Sequence, residues 1–280
     1  MTVPIGSVPL AVGVTAIIPA AGSGRRMGGG TPKQFQPLAG VPVLIHTLRL
    51  FAAEPQVDEI VVAAPPDHLE ATWRLVREYG VEKVTRVVPG GRERQESVWR
   101  ALQAVTSRPR VVVVHDAARP LLSPAGLRGI LAAASRYPAL TMGIPVKDTI
   151  KVAEVPAGGV VPVHGAGAPG GPGPAGGAGA AGGGGGSGGG EAGGLPQVVR
   201  TLPRETLWAV QTPQVFHASL LERAHRQALA DGFVGTDDAV LVERLGEPVA
   251  IYPGEPENLK LTTPEDWALA EAILARRKVG

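Results

Sequence analysis

Val14-Thr15-Ala16-Ile17-Ile18-Pro19-Ala20-Ala21-Gly22-Ser23-Gly24-Arg25-Arg26-Met27 is the stretch that decides the fold. Its first five residues are β-branched or small and almost wholly apolar, as in a strand covered on both faces. The chain then turns through small residues into two arginines, and Pro32-Lys33-Gln34-Phe35 follows. Small side chains let backbone N–H groups approach an anion, and Arg25, Arg26 and Lys33 bring charge for phosphate oxygens. A strand ending in an anion cradle predicts an open α/β sheet, because ligands on such sheets sit at the carboxyl ends of the strands. The loop is not a Walker A loop, since no Gly-Lys-Ser/Thr follows at the required spacing. A dinucleotide fingerprint is the nearer rival. It would place a third glycine where Met27 stands, and an acid after the second strand where Ala63-Ala64-Pro65 stands.

Outward from this segment, apolar runs alternate with longer amphipathic ones. Glu59–Ala63, Val84–Val88, Val111–His115 and Leu140–Ile144 read as further strands. Val43–Ala53, Leu69–Tyr79, Arg94–Val105 and Pro124–Ser135 read as helices between them. Repeated βα units predict a mostly parallel sheet with helices on both faces. The rhythm then changes. Asp148–Val155 and Gln197–Leu202 are short extended runs, expected to form two sides of a projecting β-arm spanning about 148–204. At its tip lie residues 165–194, with 18 Gly, 7 Ala and 3 Pro, too little apolar surface to order and therefore expected as a flexible insertion. Glycine does not recur every third residue, which excludes collagen. Helices are expected again at His217–Ala230, Asp238–Leu245 and Thr263 to about Arg277, with a strand at Pro248–Tyr252. The whole chain, 1–280, reads as one domain carrying this arm, with residues before Val14 as a short extension.

Composition narrows the function classes. The formal net charge is only +2, too balanced for a chain whose business is coating nucleic acid or an anionic membrane. No apolar run approaches the roughly 20 residues of a membrane span, and no basic segment precedes Arg25 as a secretory signal would require. There is no cysteine, so disulfides and thiolate chemistry are excluded; this fits a reducing cytoplasm. The six histidines show no zinc-ligand spacing.

Chemistry-bearing residues follow the other strands. Gly90-Gly91-Arg92-Glu93-Arg94-Gln95-Glu96-Ser97 is expected to bring backbone and the Ser97 hydroxyl against a base; a capped turn explains it nearly as well. After the fourth strand comes His115-Asp116-Ala117-Ala118-Arg119-Pro120. A carboxylate there is costly unless paired, so Asp116 is either a salt-bridge partner of Arg119 or a ligand for Mg²⁺ or another hard divalent cation. His115 reads as a structural residue. Lys260, alternating inside Asn258-Leu259-Lys260-Leu261-Thr262, is placed to point into a site.

Taken in order, Pro19–Met27 with Pro32-Lys33-Gln34, Gly90–Ser97, His115–Pro120, Pro145–Lys151, Thr212-Pro213-Gln214, Thr236-Asp237 and Asn258–Thr262 resemble one family, the 2-C-methyl-D-erythritol 4-phosphate cytidylyltransferases. The resemblance implies a Rossmann-like nucleotidyltransferase fold, a cytoplasmic homodimer, and transfer of CMP from CTP to a sugar-alcohol phosphate with Mg²⁺. By matched position it implies that Arg26 and Lys33 stabilise charge on the α-phosphate and that Arg204 and Lys260 position the acceptor phosphate. It also implies that Ala20, Ala21, Gly22, Gly91, Ser97 and Ala117 bind CTP and that Asp116 holds the metal. Arg119, Thr149, Thr212 and Thr236 match acceptor contacts, some of them supplied by the second subunit. The rivals are a ribitol 5-phosphate cytidylyltransferase with the same cradle, a dinucleotide-dependent oxidoreductase and a non-catalytic nucleotide binder. The glycine-rich insertion in the arm is a departure from the family pattern.

Overall fold

The computed structural model describes residues 13–22, 31–155 and 195–279; Arg26, residues 1–12 of the N-terminal extension and the segment 165–194 lie outside them. The chain divides into two compact units, Pro145–Leu207 and the remainder.

In the larger unit the elements run β1 (Val14–Pro19), β2 (Pro37–Leu38), β3 (Val41–Pro42), α1 (Val43–Ala53), β4 (Val57–Ala64), α2 (Leu69–Glu78), β5 (Val84–Pro89), α3 (Arg94–Gln103), β6 (Val111–Val114), α4 (Pro124–Ala133) and β7 (Ala139–Pro145). Among the described residues, seven strands form one sheet in the order β11-β7-β10-β6-β1-β4-β5, completed by β10 (Trp208–His217) and β11 (Ala250–Pro253). β1 runs parallel to β4 and β6, β4 to β5, and β7 to β11. The expected mostly parallel sheet with helices on both faces is thus present.

Strand alternation sorts the core into two layers. Ala16, Ile18, Ile60, Val62 and Val113 pack on one face with Leu48 and Phe51 of α1, Val76 of α2 and Ile130 of α4. Ile17, Val61, Val112 and Val114 face the opposite way, onto Val98 of α3, Leu221 of α5 (Ala218–Ala230) and Val242 of α6 (Ala239–Arg244). Each such side chain, taken fully out of water, contributes about 1.5–3 kcal/mol. A third cluster joins Leu38, Val43 and Leu121 to Ala270 and Ile273 of α7 (Pro264–Val279), and Leu261 sits within it. The start of α7 is capped reciprocally. Asp266 accepts from the Thr263 N–H at 2.7 Å, and Thr263 Oγ1 accepts from the Asp266 N–H at 3.4 Å.

Two elements were not legible in advance. β2 and β3 form a hairpin around Ala39 and Gly40, both with positive φ (50° and 82°), the two-residue turn suited to strand twist. β10 is the larger omission. Its residues read as a site motif, yet they form a ten-residue strand beside β6 and antiparallel to it. Pro213 argues against a central strand, since it cannot donate to a ladder. The structure accommodates it because pairing with β6 begins one residue later, at Gln214 opposite Val114.

The smaller unit contains β8 (Lys151–Glu154) and β9 (Gln197–Thr201), paired antiparallel as the two sides of the expected arm. Val198 and Val199 of β9 and Leu195 before it are exposed.

Candidate active site

Five chain segments, at the ends of β1, β5 and β6 and before the hairpin and α7, converge on one cleft. Their approach requires glycine at position 90. A Cβ there would lie 2.1 Å from the Ala21 Cβ and 3.0 Å from Ser97 Oγ, so any larger residue would push the first and third strand-end loops apart. The result is a cleft of about 460 Å³. Ala20, Ala21 and Gly22 line it from the first loop, Gly91 and Ser97 from the third, and Asp116 and Ala117 from the fourth. Lys33, Arg94 and Lys260 add cationic side chains to its wall.

Several backbone donors expected to meet an anion or a base are already used. The Ala20 N–H donates to Ala63 O at 2.7 Å, the Gly90 N–H to Ala64 O at 2.8 Å and the Gly91 N–H to Ser97 Oγ at 3.0 Å. The Ser97 hydroxyl spends its proton on Glu93 O at 3.1 Å. These small residues therefore serve by making room, and Ser97 by holding the loop's shape.

Lys33 and Lys260 are drawn together by the segment leading into α7: Lys33 Nζ donates to Leu261 O at 2.9 Å, one residue beyond Lys260. Burial of Leu261 anchors this segment, and its neighbour Lys260 reaches Asp116 Oδ2 at 2.8 Å. The Asp116 carboxylate also receives Arg94 Nε on Oδ1 at 2.9 Å, with Arg119 Nε 4.0 Å from Oδ2. The sequence named Arg119 as the paired alternative for Asp116; Arg94 and Lys260 are the closer partners. Burial alone would raise the Asp116 pKa, but Arg94, Lys260 and Arg119 outweigh it and hold the carboxyl far below the ordinary range. Arg94 is drawn down by burial and raised more strongly by Asp238 and Asp116, so it stays a cation.

A second chamber of about 230 Å³ shares Arg94, Asp116 and Lys260 with the first and adds Arg119, Thr212, Thr236 and Asp237. Arg119 donates through Nη1 to Asn258 O at 2.8 Å. Thr149 and Arg204 belong to the smaller unit; both are exposed, and Arg204 donates to Lys147 O at 3.2 Å.

His115 is structural, as expected. It is fully buried against Phe51, and its Nε2 lies 3.0 Å from Arg119 O, the geometry of an N–H donor. Thr212 Oγ1 accepts from the Asp116 N–H at 3.0 Å and lies 3.2 Å from His115 Nδ1, so a neutral ring accepts the threonine proton. Burial lowers the His115 pKa from 6.5 to about 4. Because the folded value lies below the unfolded one, the unfolded chain takes up a proton first as pH falls. Stability should therefore drop between pH 6.5 and about 4, by up to about 3 kcal/mol. Denaturant titrations across that window check this: His115→Gln should flatten the slope, and an unchanged slope would assign it elsewhere.

Three contributors escaped the sequence reading: Arg94, Asp238 and His225. Arg94 Nη1 donates to Asp238 Oδ2 at 2.6 Å, and His225 Nε2 lies 3.0 Å from Asp238 Oδ1. The available signal was an arginine inside Gly90–Ser97 and the second acid of Thr236-Asp237-Asp238. Among the described residues no group of three or more His, Asp or Glu side chains is arranged to hold a metal by itself.

This geometry has relatives. The family model of 2-C-methyl-D-erythritol 4-phosphate cytidylyltransferase matches residues 14–162 and 190–276; the internal stretch it leaves unmatched is the glycine-rich one. The chain is 54% identical over 265 residues to the protein of that name from Symbiobacterium thermophilum, covering 95% of this chain and 94% of the relative. It is 42% identical over 266 residues to the one from Pelotomaculum thermopropionicum, covering 95% of each. The crystal structure of 2-C-methyl-D-erythritol 4-phosphate cytidylyltransferase from Thermus thermophilus superposes with a TM-score of 0.63 at 33% identity, over 93% of this chain and 98% of that one. The 4-diphosphocytidyl-2C-methyl-D-erythritol synthase from Anaerococcus prevotii superposes with a TM-score of 0.70 at 25% identity, over 94% and 96%.

Proposed function

The chain belongs to the 2-C-methyl-D-erythritol 4-phosphate cytidylyltransferase family, and from that premise we propose how its two chambers divide the work. The enzyme transfers the cytidylyl group of CTP to 2-C-methyl-D-erythritol 4-phosphate in isoprenoid precursor synthesis. A phosphate oxygen of the acceptor forms a bond to the α-phosphorus, the bond from that phosphorus to the bridging oxygen breaks, and pyrophosphate leaves with the electron pair. Such a displacement needs alignment and charge neutralisation more than covalent help.

The observation that carries the reading is the pair of chambers meeting at Arg94, Asp116 and Lys260. CTP occupies the larger, with its base toward the Ala20–Gly22 and Gly91–Ser97 side and its phosphates toward Lys33 and Lys260; by matched position, Arg26 is assigned with Lys33 to the α-phosphate. The acceptor phosphate occupies the smaller, held by Arg119, Thr212 and Thr236, with Lys260 between the two substrates. By matched position, Thr149 and Arg204 are assigned acceptor contacts as well. The exposed valines of β9 suit contact with a second copy, so the arm is assigned to a homodimer interface. Both substrates are charged phosphates, which suits the cytoplasmic location assigned here, and no nucleic-acid or membrane partner is assigned; among the described residues no helix is long and apolar enough to cross a membrane.

A divalent cation, Mg²⁺ in this reading, fits the donors present. Asp116 is an ionised hard-oxygen ligand whose Oδ2 is shared with the ammonium of Lys260, a side chain 42% exposed and able to turn away. Mg²⁺ commonly takes one or two carboxylates and completes its shell with phosphate and water. When bound it supplies neutralisation of triphosphate charge. Lys33 and Lys260 neutralise the rest.

The test is pyrophosphate release with CTP and Mg²⁺, with 2-C-methyl-D-erythritol 4-phosphate or ribitol 5-phosphate in parallel. Release with the first alone is expected. Release with the second alone would move the enzyme to the other alcohol, and CTP binding without release in either would make it a nucleotide binder.

A further inference from the structure

We propose that Arg94 is a positioning residue for Asp116, held from behind by a buried Asp238–His225 pair so that the carboxylate presents Oδ2 alone to the cations of the cleft. The inference rests on the reading of Asp116 as the metal ligand.

Arg94 is the first residue of α3 and bridges two carboxylates. Its Nε reaches Asp116 Oδ1 at 2.9 Å and its Nη1 reaches Asp238 Oδ2 at 2.6 Å. Asp238 lines neither chamber and is wholly buried. Its remaining valences are also committed: His225 Nε2 lies 3.0 Å from Oδ1, and the Asp238 N–H donates to Gln214 Oε1 at 3.0 Å. The His225 ring is stacked on Trp99, centroids 5.8 Å apart and planes 13° apart, so the far end of the relay is clamped by packing.

Two features point away from a merely structural role. Apolar side chains of similar volume would stabilise this interior at least as well as a buried ion group. And the bridge leaves Arg94 Nη2 buried with no hydrogen-bond acceptor among the described residues. The guanidinium is thus set to serve two carboxylates at the expense of its own third nitrogen. The consequence lies at Asp116. With Oδ1 tied to Arg94, the carboxylate cannot swing to chelate Lys260 through both oxygens. Oδ2 remains the single face offered to Lys260 and, once nucleotide is bound, to the divalent cation. Partners behind a metal ligand orient it in this way, and their loss typically weakens metal binding or activity by about 10–100-fold.

Mn²⁺ is the probe, titrated by electron paramagnetic resonance into full-length enzyme with CTP, alongside metal-free CTP binding by calorimetry and steady-state turnover. Arg94→Lys keeps the charge but cannot bridge both carboxylates. Asp238→Asn keeps the shape but releases the guanidinium. Each is expected to weaken Mn²⁺ binding and lower kcat by about 10–100-fold, and Asp238→Asn, at a residue that lines neither chamber, is expected to leave metal-free CTP affinity unchanged. Unchanged Mn²⁺ affinity in the folded variants would overturn the proposal. So would an equal loss of metal-free CTP binding, which would make Arg94 a nucleotide contact, and so would failure of both variants to fold, judged by circular dichroism, which would make the relay structural. Asp116→Asn separates the two levels. If it binds Mn²⁺ like the parent, the metal-ligand reading fails and takes the inference with it. If it loses Mn²⁺ while Arg94→Lys does not, the inference alone fails.

Discussion

Lys260→Ala is expected to lower kcat by about 10²–10³-fold, the cost of removing one donor aimed at charge that develops in a transition state. Lys260 lies on the wall common to both chambers, and its ammonium, 2.8 Å from Asp116 Oδ2, can exchange that carboxylate for a phosphate oxygen of either substrate. Folding should hardly notice. The Lys260 side chain is 42% exposed, and the buried Asp116 keeps its pairing with Arg94 when the ammonium is removed. Steady-state kinetics beside a thermal melt measure both. Lys260→Arg should recover part of the rate, since charge is restored with a different hydrogen-bond shape. Turnover near that of the parent in Lys260→Ala would remove Lys260 from the chemistry.

Asp116→Asn should act on folding and chemistry together. The isostere leaves Arg94 and Arg119 in the interior without their shared anion, and stripping one partner from a buried ion group costs about 3–5 kcal/mol. Metal-dependent pyrophosphate release should fall to background in the same variant, even where it remains folded. A variant that melts and turns over like the parent would show that Asp116 is neither the anchor of these cations nor a metal ligand. The ion group also has a pH signature. A carboxylate depressed by its neighbours contributes stability that is present above its unfolded pKa of about 3.9 and lost only as pH falls through the folded value. For Asp116 that value is driven far below the usual range, so the group stays ionised throughout mildly acid conditions. The acid weakening between pH 6.5 and about 4 therefore belongs to His115, one residue away.

The unbroken run Val111–Val114 shows where local sequence sufficed. Unbroken β-branched runs have few alternatives to a strand buried on both faces, and loops of small residues after them mark where strands end. The βα order, the position of the cleft at the strand ends and the antiparallel pairing of Lys151–Glu154 with Gln197–Thr201 were legible on those grounds. β10 was not, because its proline and glutamines disguise a central strand whose ladder starts only at Gln214. The Arg94–Asp238–His225 relay was not legible either. Its members stand at positions 94, 238 and 225, and nothing in the neighbourhood of any one of them requires the others.

What the sequence determined by itself was the set of local choices: strand or helix, where each strand stops, which small residue permits a close approach, and which charged residue stands just past a strand end. These depend on backbone preference and the period of the apolar pattern, both of which act over a few residues. Only the tertiary structure decided that Asp116 is saturated by Arg94 and Lys260, that the Gly91 and Ser97 donors are consumed within the loop, and that one ion group forms the wall of two chambers. Those outcomes turn on separations of a few ångströms between side chains that the fold, rather than the order of the chain, brings together. Coulomb and hydrogen-bond energies are set by that separation in space.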